Sequence, residues 1–189
     1  MIDEKKILNA YRNGSQEERE LLKKLMEPSF IEKHITDLIQ SYDDAVKMVG
    51  SKIPASTLGI LPENIQAAYK LEVITAALNN GWRHPQDGET WVYYPWGYFY
   101  TKEEIEKMSE EDKKDCTLVL LGGAATDGAS CGLAYVHSGN AFSYSDVNFG
   151  SRLAYKSREL CEYSIKQFRE LWNEYLFYLP KPDEEKADK

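Results

Sequence analysis

Apolar residues recur at three- and four-residue spacing near both ends of the chain, and the rhythm changes in the middle. Through residues 1–50 this pattern predicts short helices. Asp3 to Tyr11 is the first, with Ile2, Leu8 and Tyr11 apolar, and Asn13-Gly14 breaks it. Ser15 and Glu18 have the spacing of a capping box, in which the hydroxyl accepts one orphan amide and the carboxylate reaches back to another. The helix behind them is expected to run to about Met26, bury Leu21, Leu22 and Leu25, and stop at Pro28. Ile31, Ile35, Leu38 and Ile39 suit another turn or two. Asp43 to Val49 reads as a further short helix, with Gly50 as its stop. Residues 51–61 read as a loop. Pro62 then suits the first turn of a helix over 63–80, in which Ile65, Ala68, Leu71, Ile74 and Leu78 repeat at helical spacing. Asn80-Gly81 ends it.

Residues 82–100 hold eight aromatics in 19 positions. Trp91 to Tyr94 and Gly97 to Tyr100 read as strand, interrupted at Pro95, which has no amide to give a ladder and so marks an edge or a bend. Thr101 with Glu104 is a second capping box, opening a charged surface helix to about Lys113. From 115 to 151 there is no Lys or Arg; Leu118 to Leu121 and Leu133 to Val136 read as buried strands, and Gly122-Gly123 and Asp127-Gly128 as turns. Ser151 to Ser157 alternates, with Leu153 and Tyr155 on one side and Arg152 and Lys156 on the other. Ser157 caps a last helix over 158–178, with Leu160, Ser164, Phe168, Leu171, Trp172, Tyr175 and Leu176 as its buried stripe. The pattern as a whole predicts an α+β fold. A compact antiparallel sheet over 91–156 would be packed on one face by helices 63–80 and 158–178, with the N-terminal helices as an outer layer. One domain would span 1–180 (a helical part, 1–50, and a core, 62–178), followed by a disordered tail over 181–189.

Composition narrows the function classes. The chain has 189 residues, 42% apolar and 29% charged, which suits a globular domain able to bury a core without staples. Its 23 basic against 31 acidic residues give a net charge of −8. That charge repels phosphate backbones and anionic membranes, so neither nucleic acid nor membrane is an expected partner. No apolar run reaches the roughly 18–20 residues of a membrane span, and the N-terminus lacks the apolar core of a secretory signal. Cys116, Cys131 and Cys161 form no CxxC pair, and His34, His84 and His137 stand far apart. No metal or other cofactor is expected.

Candidate chemistry is sparse. Cys131, His137 and Asp146 fall in nucleophile, base, acid order, but an extended strand would hold Cys131 and His137 about 20 Å apart, too far for proton transfer. The run from Leu121 to Gly132 is glycine-rich but has neither the GxGxxG nor the GxxxxGK[ST] spacing of a phosphate loop. Adjacent acid pairs such as Glu103-Glu104 point about 100° apart on a helix and make no acid–base couple. The aromatic cluster is the most informative feature, because such rings either wall a core or stack on partners. About two-thirds are expected in the core, with Trp91, Tyr93 and the Trp96 region along one wall. Tyr94, Trp96 and Tyr98, flanking the Pro95 bend, are the candidates for a binding face. Tyr144 and Asp146, on the polar surface of 138–150, and Arg152, a natural partner for Asp146, complete the candidate set.

Four stretches also carry a resemblance. These are Ala10-Tyr-Arg-Asn-Gly-Ser-Gln-Glu-Glu-Arg-Glu-Leu-Leu; Ile35-Thr-Asp-Leu-Ile-Gln-Ser-Tyr-Asp-Asp-Ala; Tyr69-Lys-Leu through Ala77-Leu-Asn-Asn-Gly-Trp82 with Tyr93-Tyr-Pro-Trp96; and Phe149-Gly-Ser-Arg-Leu-Ala-Tyr-Lys-Ser157 with Gln167-Phe168. Together they resemble a family of small proteins of bacterial phages and of prophage-like regions in gut commensals. The resemblance implies a phage-linked context, cytoplasmic in the bacterial host or on the virion, and a non-enzymatic binding or structural role with a protein partner or self-association. More distantly, the Gly- and Ser-rich stretch closing on Phe149-Gly-Ser-Arg-Leu153 is similar to lectin-like phage variable proteins, which implies a carbohydrate ligand stacked on Tyr94 or Trp96. A small hydrolase using Cys131 and His137 is the third alternative.

Overall fold

A computed structural model of the chain describes residues 3–85, 87, 89–99, 106–107, 109, 117–120, 133–142 and 153–177. Seven helices come first: α1 (Glu4–Asn13), α2 (Gln16–Leu25), α3 (Pro28–Lys33), α4 (Ile35–Leu38), α5 (Tyr42–Val49), α6 (Ala55–Leu58) and α7 (Glu63–Leu78). Three strands follow, β1 (Trp91–Phe99), β2 (Thr117–Leu120) and β3 (Leu133–Phe142), and then α8 (Arg158–Gln167) and α9 (Arg169–Phe177).

Local chemistry sets the helix starts. Asp3 accepts the Lys5 amide at the head of α1. Ser15 and Glu18 exchange both bonds of a capping box, at 3.2 and 2.6 Å. Ser41 and Ser157 cap α5 and α8 with a single amide bond each, their hydroxyls accepting the amides of Asp44 and Leu160. Pro28 occupies the first turn of α3, so it opens a helix as well as closing the one before, because a first-turn residue needs no amide. The loop expected over 51–61 contains the single turn of α6. At the other end, α8 and α9 divide at Phe168 where one helix over 158–178 was expected.

Helix α7 is the centre of the molecule. It packs against α5 and α9, and its successive residues Val73, Ile74 and Thr75 are all buried. Burial of three neighbours in sequence means that α7 is enclosed on most sides. Around it lie Tyr11, Ile31, Ile35, Leu38, Ile39, Ala45 and Met48 from the N-terminal helices, Leu153 and Tyr155 from the segment before α8, and Leu160, Ile165, Phe168 and Trp172 beyond.

Buried polar groups tie these parts together. The Tyr155 hydroxyl donates to Ser164 Oγ at 2.7 Å and accepts from Thr75 Oγ1 at 2.9 Å. Trp172 Nε1 donates to the same Ser164 Oγ at 3.1 Å. Asn79 uses both ends of its amide, donating to the Ala154 carbonyl at 2.8 Å and accepting the Lys156 amide at 3.2 Å. The sequence pattern gives Asn79 no role, and the helix stop is expected at Asn80-Gly81. Here Asn79 fixes the 154–156 segment to the end of α7.

The expected α+β fold is overturned, because the molecule is mostly helical. The strands pair antiparallel in the order β1-β3-β2, and Tyr93 also exchanges both backbone bonds with Tyr155, at 3.0 and 2.7 Å. Of the strand side chains described, Val92 and Pro95 are buried, Tyr93 packs partly against the core cluster, and Trp91 is 48% exposed. Of the expected aromatic wall, Trp91 is exposed and Tyr93 only flanks a core cluster built of helix-borne aliphatic residues, Tyr155 and Trp172, while the Trp96 side chain lies outside the described set. The N-terminal helices are part of that interior and form no separate outer layer. Three local expectations change as well. Strand β1 runs through Pro95, which is buried and opposite Ser138. Residues 153–155 do not alternate, since Leu153, Ala154 and Tyr155 are all buried. Leu21 and Leu25, expected inside, are 57% and 73% exposed. The helix expected over 101–113 and the tail over 181–189 lie outside the described residues, apart from 106–107, which are helical, and Ser109.

Candidate functional site

Two turns shape a groove beside α7. Asn80 and Gly81 both take left-handed backbone angles, φ 46 and 83, and the Trp82 amide closes back onto the Asn79 carbonyl at 3.0 Å. Glycine adopts that angle without strain, and the turn aims Trp82, Arg83 and His84 along one side of the helix. On the other side Gly50 ends α5 at φ 82, and the chain crosses over Tyr69.

Tyr69 pins that crossing. Its hydroxyl accepts the amides of Lys52 at 2.7 Å and Ile53 at 2.9 Å. Ser51 Oγ sits 3.0 Å away and gives its own proton to the Ile53 carbonyl at 2.7 Å, so the phenol proton goes to Ser51. Burial raises the Tyr69 pKa, but the bonds from Ser51, Ile53 and Lys52 outweigh it and leave the phenol below its ordinary value.

Between the two turns is an open groove of about 730 Å³, lined by Ser51, Lys52, Tyr69, Glu72, Ala76, Trp82, Arg83 and His84 among others. Trp82 and His84 stand edge to face, centroids 6.4 Å apart. His84 Nδ1 is buried and makes no hydrogen bond among the described residues. Among the described lining residues, Lys52 and Arg83 carry positive charge against one carboxylate, Glu72. The groove thus combines aromatic surface with an excess of cationic donors on a protein of charge −8. Ser51 spends its proton on a carbonyl, not on a base, so the groove holds no activated nucleophile of the serine–histidine kind. Among the described residues no three His, Cys, Asp or Glu side chains stand together as a metal site requires.

The residues singled out from sequence are placed only in part. Tyr94 is half-buried on β1. Trp96 and Tyr98 belong to the same strand, with side chains outside the described set, and the ladder places His137 of β3 opposite Trp96. Tyr144, Asp146, Arg152, Cys116 and Cys131 lie outside the described residues. Cys161 is buried in α8. Among the described candidates, Tyr94 does not line the groove. The sequence reading missed Lys52, Tyr69, Arg83 and His84; the run Trp82-Arg83-His84 directly behind a helix stop was the signal available for part of it.

No helix among the described residues is long and apolar enough to cross a membrane. Compared with known proteins, the chain matches no protein-family model, no curated protein and no solved structure.

Proposed function

We propose that this chain is a non-enzymatic binding protein, and that its groove beside α7 takes an anion carrying an aromatic or other flat apolar part. The observation that carries this reading is the Tyr69 anchor. Two backbone amides and a serine hold the groove wall in place before any ligand arrives, which lowers the cost of binding. Trp82 supplies stacking area, and Lys52 and Arg83 supply charge-assisted donors. Benzoate and phenyl phosphate are suitable probes, followed by intrinsic fluorescence. Arg83 is exposed, so Arg83→Glu should leave the melting temperature unchanged while weakening the better probe by about tenfold or more. Equal affinity in Arg83→Glu and in Trp82→Ala would end this reading.

A second reading, self-association or a protein partner, is favoured by α2. Leu21 and Leu25 stand one helical turn apart and are both largely exposed, although α2 buries no residue of its own. Light scattering of the intact chain should give a mass above the monomer that falls in Leu25→Glu. A monomer at every concentration would leave α2 without a self-partner. The carbohydrate reading on Tyr94 and Trp96 and the hydrolase reading on Cys131 and His137 gain no support from the described geometry.

A further inference from the structure

On the far side of the Val49–Gly50 turn from the groove lies a second cleft, of about 510 Å³, between α1, α2 and the end of α5. Its floor is Tyr11, 4% exposed, whose hydroxyl is buried and makes no hydrogen bond among the described residues. A buried phenol normally finds a partner, because an unmade bond costs about 1–3 kcal/mol. Arg19 adds a second orphan. One of its terminal nitrogens donates to the Gly14 carbonyl, while its Nε is buried and unpaired. Gly14 permits that clamp: a Cβ there would come within 2.6 Å of the Ala10 carbonyl oxygen. Lys23, one turn beyond Arg19, reaches over the Tyr11 ring at 6.0 Å and donates to the Met48 carbonyl at 3.3 Å, which leaves two of its three protons for other acceptors. Glu20 is the carboxylate lining this cleft. Burial raises the Tyr11 pKa, with Arg19 opposing, so the phenol keeps its proton as a donor at neutral pH.

We propose that this cleft is a small-oxyanion site, in which Tyr11 Oη, Arg19 Nε and Lys23 Nζ donate to one phosphate or carboxylate group. Two unpaired donors, on Tyr11 and Arg19, beside a cleft where Arg19, Lys23 and Lys47 outnumber the carboxylate of Glu20, are what an anion would satisfy. The site is independent of the groove reading, since the groove residues Tyr69, Trp82, Arg83 and His84 do not line it.

The test is the thermal stability of the full chain titrated with inorganic phosphate, with acetate as the carboxylate arm and chloride at matched ionic strength as the reference. A saturable rise above chloride is expected, and the arm that gives it tells which oxyanion the cleft prefers. Tyr11→Phe removes the hydroxyl and keeps the ring. It should melt in chloride no lower than the wild type, because an unpaired donor is gone, and its apparent anion affinity should fall at least about fivefold. Lys23→Gln should weaken the anion in the same direction, and it carries the test if Tyr11→Phe fails to fold. A response to phosphate and acetate no larger than to chloride would overturn the proposal, as would an undiminished response in both variants.

Discussion

Replacing Trp172 with alanine should remove about 3–5 kcal/mol of stability, the range for deleting a fully buried large aromatic. The indole is 0% exposed and is the largest fully buried side chain among the described residues. Its ring meets Tyr175 edge-on at 6.1 Å, and its Nε1 gives a bond to Ser164 Oγ at 3.1 Å. Truncation therefore leaves a cavity against α7 and takes a donor from a serine that also serves Tyr155. Since whole domains are stable by only about 5–15 kcal/mol, this one change approaches the limit of what the fold can lose. Urea unfolding followed by far-ultraviolet circular dichroism is the appropriate measurement, because it does not depend on indole emission. Should the alanine variant fail to fold, Trp172→Phe keeps one aromatic ring but loses the N–H and part of the indole volume, at about 1–3 kcal/mol. For contrast, Leu25→Ala, at a side chain 73% exposed, should stay within about 0.5 kcal/mol. A small loss at Trp172 would mean that the interior does not lie between α7 and α9.

The sequence exposed those parts of the fold whose causes are local. The Ser15–Glu18 box needs only residues three apart, and both of its bonds are present. The stops at Gly50 and Asn80-Gly81 rest on single backbone angles and stand as expected. Leu71, Ile74 and Leu78 gave α7 away through spacing alone and are all buried. Exposure was less legible. The spacing of Leu21 and Leu25 defines an apolar face on α2 but cannot say whether anything covers it.

The fold class was misread for a related reason. A dense run of rings from Trp82 to Tyr100 suggests a core wall holding most of them, since rings are large and apolar. The interior was already filled by stripes on α7, α8, α9 and the N-terminal helices, and the rings of Trp82, Tyr93 and Tyr94 are only partly buried. The polar ties that join distant segments, Thr75 to Tyr155 and Asn79 to Ala154, span 80 and 75 residues and leave no local trace. The groove was hidden in the same way. Tyr69 looks like one more position on a helix until residues 51–53 are laid across it.

Stability should fall as pH rises above about 10, and Tyr155→Phe should remove part of that fall. Tyr155 is fully buried, and burial drives its pKa far above the ordinary 10.0, with the bonds to Ser164 and Thr75 opposing only in part. Tyr163, whose hydroxyl is shared between the Thr36 and Ile39 carbonyls at 2.7 and 2.8 Å, is pushed up to about 12 by burial and then by Asp37, with Arg12 opposing. In both cases the folded chain keeps a proton that the unfolded chain gives up at 10.0. The stabilising contribution is whole below pH 10 and is lost as pH climbs, by about 1.4 kcal/mol per pH unit for each tyrosine, until the folded group itself titrates. Other groups titrate nearby. The Lys23 pKa is lowered by burial, so that group favours folding as pH rises towards 10.5. The difference between wild type and Tyr155→Phe cancels such terms. At neutral pH the variant should be weaker by about 1–3 kcal/mol, because Thr75 and Ser164 lose a buried partner. Between pH 10 and 12 that gap should narrow, since the variant has no proton at 155 to hold. A gap that stays constant across the range would show that the hydroxyl is not sealed between α7 and α8, and the polar tie that joins them would have to be redrawn.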